Sequence, residues 1–94
     1  AGQTKETIDL CRFIASDRGS WADAMKLVKA LDGSEPESIR IVVLNYLSAV
    51  AMNSSQNKVL EILRKMEAFS TPFNPSDKQA PLLLAIGDAM GIGE

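Results

Sequence analysis

Between Gly19 and Ala51 the chain reads GSWADAMKLVKALDGSEPESIRIVVLNYLSAVA, two helices separated by a tight acidic turn. Each helix opens on a capping pair, Ser20 with Asp23 and Ser34 with Glu37. In such a pair the hydroxyl accepts from a backbone N–H near the helix start, and the carboxylate three residues on reaches back to the cap. Ile41-Val42-Val43-Leu44 favours a strand by propensity, yet it lies inside this capped helical period with no turn signal at either end. The predicted fold class is therefore all-α, a compact bundle of about five helices with mostly antiparallel neighbours.

The remaining periods fit that frame. A first helix is predicted over 5–16, with Ile8, Cys11, Ile14 and Ala15 on one stripe and Asp17-Arg18-Gly19 as the break. The second runs over 21–31 on Ala24, Leu27, Val28 and Leu31, with Gly33 as its stop. The third opens at Ser34 and runs to Met52, so broadly apolar that it is expected to sit centrally. The fourth spans 56–69. Its predicted inner stripe is Val59, Leu60, Ile62, Leu63, Met66 and Phe69, and its wet side is Lys58, Glu61, Arg64, Lys65 and Glu67, with a Glu61–Lys65 pair. STPFNP at 70–75 interrupts, and Ser76 with Gln79 is read as the cap of a fifth helix that ends at Gly91-Ile92-Gly93.

The 94 residues are read as one domain, 1–94. The start AGQTKET has no methionine and no signal-peptide character, so the chain is expected to be a C-terminal piece of something longer. Net charge is -2, with ten basic residues scattered among twelve acids, which gives no footprint for nucleic acid. No apolar run approaches the roughly 18–20 residues that cross a bilayer. Histidine is absent, which removes Ser-His and Cys-His nucleophile pairs, imidazole bases and His-containing metal sites. The single cysteine, Cys11, is read as a small buried hydrophobe and fits a reducing, cytoplasmic setting.

Chemistry-bearing patterns are sparse. GDAMGIG at 87–93 follows a helix, has no strand before it and no lysine, so it reads as a fraying helix end rather than a phosphate loop. Asp32, Glu35 and Glu37 flank a helix start, where the macrodipole favours acids, and they are read as capping. No catalytic residue, metal ligand or cofactor contact is assigned, and the fragment is not expected to be an enzyme. Trp21 is expected to pack in the core, with a partner anchor as its alternative. Tyr46 is expected in the core with its hydroxyl bonded. Arg40 is read as a snorkelling surface residue, or else as the donor of an inter-helix or intersubunit bond. The outer faces of the third and fifth helices are the candidate contacts between subunits, with Arg40, Leu82 and Leu84 as the named residues, because Leu82-Leu83-Leu84 is more apolar than one buried face requires.

One longer pattern has a parallel. Ser20-Trp21-x3-Met25-x5-Leu31, Pro36-Glu37-x-Ile39-Arg40-x3-Leu44-x-Tyr46-Leu47 and Phe69-x2-Pro72-Phe73 together resemble the C-terminal helical domain of bacterial and phage clamp-loader-type AAA+ ATPases, similar to the gamma/tau and delta-prime subunits of DNA polymerase III. The resemblance implies a non-catalytic collar, through which subunits associate into a ring during DNA replication. It implies other clamp-loader-type subunits, or further copies of itself, as partners, with no direct grip on nucleic acid and no membrane contact. ATP and Mg would belong to an AAA+ module preceding residue 1. The alternative is a free-standing helical adaptor that offers a groove to a partner protein.

Overall fold

In the computed structural model, which describes residues 4–16, 19–31 and 33–92, the chain folds into five α-helices and one 3₁₀ turn, with no strand among those residues. The helices are α1 (Lys5–Ala15), α2 (Trp21–Ala30), α3 (Pro36–Met52), α4 (Gln56–Ala68) and α5 (Ala80–Met90). The 3₁₀ turn, Pro75–Asp77, lies between α4 and α5. Helix α1 packs against all four others, and α3 lies against α1, α4 and α5. The start of α3 meets the end of α4 through Arg40 and Phe69, so that pair runs antiparallel, and Arg64 in the second half of α4 reaches the Asp88 carbonyl near the end of α5. The core between them holds Leu10, Cys11, Val43, Leu47, Phe69, Leu82 and Ile86.

The helix starts obey proline more than they obey the serine pairs. At α2 the capping box forms as written, with Asp23 N–H donating to Ser20 Oγ at 3.2 Å and Ser20 N–H to Asp23 Oδ2 at 3.1 Å. At α3 it does not. The helix begins at Pro36 with Glu35 as cap, and the Glu37 carboxylate is taken by other donors. The expected start at Ser76 also fails. Ser76 donates its N–H and hydroxyl to Asn74 Oδ1, closing the 3₁₀ turn, and α5 starts at Ala80. Both shifts have one cause. Proline lacks an N–H and fits a helix only in its first turn, so the helices start where Pro36 and Pro81 fall there. Gly91, at φ +73°, ends α5 as expected, and Ile92 N–H closes back on Gly87 C=O at 3.0 Å. The Asp17-Arg18 part of the first break, Asp32 and Gly93 lie outside the described residues.

Helix α4 departs most from its predicted stripe. Lys65, expected on the wet side, is instead buried at 2% exposure, whereas Leu60 and Leu63, expected inward, lie outside at 74% and 47%. The true inner stripe is Ile62, Lys65, Met66 and Phe69, spaced i, i+3, i+4, i+7. Lys65 lays its aliphatic stem along the core and points its ammonium at Ala15 C=O, 3.4 Å away at the end of α1, where a helix carries unsatisfied carbonyls. Glu61 consequently pairs with Arg64 at 3.3 Å and not with Lys65.

The leucine run of α5 separates by helical phase. Leu82 joins Ala85, Ile86 and Ala89 in the core, so it cannot serve as a subunit contact in the folded domain, while Leu84 stands outside at 75% exposure. Leu82→Ala is expected to cost about 2–5 kcal/mol of unfolding free energy. Leu84→Ala should change it by less than about 0.5 kcal/mol. Urea unfolding of the two variants followed by circular dichroism checks the assignment, and equal losses would contradict it.

Candidate functional site

Two clusters draw on the residues singled out in the sequence. The first is internal. Arg40 grips Glu37 with both arms, Nε to Oε1 at 2.7 Å and Nη2 to Oε2 at 2.6 Å, and its third arm, Nη1, donates to Phe69 C=O at 2.9 Å. Phe69 closes α4, so this carbonyl is one of the orphans at a helix end. Glu37 Oε1 also accepts the backbone N–H of Phe73 at 2.8 Å, and the guanidinium lies 6.0 Å from the centre of the Phe73 ring. One ion pair thus ties the first turn of α3 to the end of α4 and to the connection leading into α5.

Arg40 is therefore neither a solvated snorkelling side chain nor a ready subunit contact. It is buried and makes the inter-helix bond, because the α4 carbonyl and the Glu37 carboxylate satisfy its planar fork together. The capping expectation for Glu37 gives way for the same reason. The Arg40 hydrogen bonds, then the Phe73 N–H, and then the Arg40 charge pull the Glu37 carboxyl down from 4.5 to about 2. In the unfolded chain it titrates at the higher value. The stability these contacts supply is full above about pH 4.5 and is lost as the pH falls towards 2. Melting temperature measured from pH 7 to pH 2 should show this loss in the wild type, and Glu37→Gln should flatten that part of the profile. Identical profiles would contradict the role given to Glu37.

The second cluster faces outward. Trp21, at the first position of α2, is 39% exposed instead of packing in the core. The inward stripe of α2 is Ala24, Val28 and Leu31, and Trp21, at its outer end, lies over Gly87 of α5. A Cβ at Gly87 would stand 3.6 Å from the ring, ordinary contact distance, so the indole already covers that stretch of helix. Trp21, Leu83, Leu84, Gly87, Asp88 and Ile92 line an open hollow of about 780 Å³. A second hollow of about 320 Å³, between α5 and the 70–75 connection, shares Leu84 and Asp88 with it. Sequence reasoning singled out Leu84 and left open Trp21 as an anchor. It gave no reason to place Ile92 or Asp88 beside them, since that juxtaposition follows from where Trp21 lies over α5.

Elsewhere the chemistry is quiet. Cys11 is buried, and burial pushes its thiol up to about 11, so almost none is thiolate at neutral pH. Tyr46 is half-buried against the core and its hydroxyl bonds to no described residue. Among the described residues no group of three or more His, Cys, Asp or Glu is placed to hold a metal ion. No helix among them is long and apolar enough to cross a membrane. Comparison with protein-family models, curated proteins and solved structures found no match to this chain.

Proposed function

We propose that this domain is a non-catalytic association module, and that it docks on another protein subunit through the face formed by Trp21 and the outer side of α5. The observation that carries this reading is the joined apolar exposure of Trp21, Leu84 and Ile92 around one open hollow. Large apolar side chains left side by side in water are a cost that a covering partner removes. Trp is also the residue type most enriched where binding energy concentrates.

The finer form of the proposal is a collar domain of a clamp-loader-type ATPase, acting in DNA replication in the cytoplasm beside subunits of similar fold. Its support is the sequence pattern, together with the finding that Glu37, Arg40, Phe69 and Phe73 from separate parts of that pattern meet in one hydrogen-bonded unit. ATP and Mg would be handled by a separate AAA+ module of the same protein. The free-standing adaptor is the second reading, supported by the open apolar hollow, a shape that a helix or peptide of a partner protein uses.

The two readings separate on the gene. The collar reading predicts G-x-x-x-x-G-K-[ST] after a strand-like segment, about 150–300 residues upstream of Ala1 in the same reading frame. A reading frame without that loop removes the clamp-loader form and leaves the adaptor.

A further inference from the structure

We infer, on the association reading above, that the groove takes a basic amphipathic helix of a different protein, apolar along one face and carrying Lys or Arg at both ends of that face.

Helix α5 breaks helical preference at two adjacent positions, and both line the groove. Gly87 lies inside the helix, where glycine is the least favourable residue after proline. Packing does not require it. Among the described residues a Cβ there would meet only the Trp21 ring, at an ordinary 3.6 Å, and Gly87 is not one of the positive-φ glycines. Asp88 lies in the last turn, where the macrodipole favours cations over acids. Arg64 bonds the backbone carbonyls of Asp88 and Ala89 and the Glu61 carboxylate, all within its own chain. The Asp88 carboxylate is left exposed, with no hydrogen bond or ion pair among the described residues. Local rules broken side by side, at no benefit to the helix, mark a surface with another use.

The geometry then selects the occupant. Pro81, Leu84 and Asp88, at i, i+3 and i+7, share the outer side of α5, and the two hollows meet along it. Over its 11 residues α5 is about 16 Å long, room for about three turns of a second helix. An extended peptide has no sheet edge to join, since no strand occurs among the described residues. Trp21, Leu84 and Ile92 offer the apolar contact. Asp88 near the end of α5 and Asp77 ahead of its start are the only charged residues in the two linings. Asp77 is also exposed and unpaired among the described residues, and its neighbour Lys78 lines a different hollow with Glu35 and Glu37. Two free carboxylates at the ends of an apolar strip are complemented by cations at both ends of an apolar helix face.

Trp21 is the sole tryptophan, so its emission reports whether the groove is covered. The probe is a helical peptide of about 14 residues, with Leu along one face and Lys at both ends of it, added up to about 1 mM. It should shift Trp21 emission to the blue and bind at least tenfold more tightly than the same peptide with Glu in place of Lys. Asp88→Asn should reduce that preference at least threefold and leave the urea midpoint unchanged or raised, since the helix does not need the acid. Glu6→Gln, an equal charge change at an exposed position of α1, should leave the preference intact.

Equal binding of the two peptides, or a preference that Glu6→Gln lowers as much as Asp88→Asn does, overturns the basic occupant and leaves the association reading standing. No response to either peptide also overturns it. Nile red, a neutral apolar dye, then decides the association reading separately. Uptake by the wild type that Leu84→Ser abolishes keeps the face, and no uptake removes it.

Discussion

The Arg40 guanidinium fixes the relation between the two halves of this molecule. Its donors reach a carboxylate in the first turn of α3 and the last carbonyl of α4, and that carboxylate in turn holds the Phe73 amide. The segment 70–75 carries two prolines and cannot organise itself by helical hydrogen bonds. Its position is supplied from outside, by Glu37. The 3₁₀ turn and α5 follow directly on that segment. Arg40 is buried beside a partly exposed Glu37, and the cost of desolvating the guanidinium is offset by the bidentate geometry and two further backbone bonds.

The helices themselves were legible because their periods are long and their ends are marked. Ser20 with Asp23, Gly91 and the apolar spacing of α3 each act within one helix, where sequence distance and spatial distance agree. The sequence was less informative wherever a long-range partner decided the outcome. Lys65 goes inward because the end of α1 offers a carbonyl to its ammonium, and no feature within α4 announces that. Leu60 and Leu63 go outward because turning Ile62, Lys65, Met66 and Phe69 to the core leaves them on the opposite face. Glu37 looked like a cap on local spacing, but its actual partners lie at Arg40 and, 36 residues away, at Phe73.

The same limit applies to the candidate site. Leu84 was visible as surplus in a leucine run, and helical phase then separates it from Leu82. The neighbourhood of Trp21, Ile92 and Asp88 was not visible, because α2 and α5 are far apart in sequence and meet over a single glycine. Lock and groove also divide the residues of the recognised pattern by role. Glu37, Arg40, Phe69 and Phe73 hold the fold, and Trp21 stands exposed over Gly87 of α5.

Glu37 holds the 70–75 connection through the Phe73 amide, and amide hydrogen exchange read residue by residue by NMR would show it. Thr71 and Asn74, on either side, donate their N–H to no described residue. Phe73 should exchange at least tenfold more slowly than Thr71 and Asn74 in the wild type, and Glu37→Gln should remove most of that difference. A Phe73 amide that exchanges as fast as its neighbours in the wild type would contradict it.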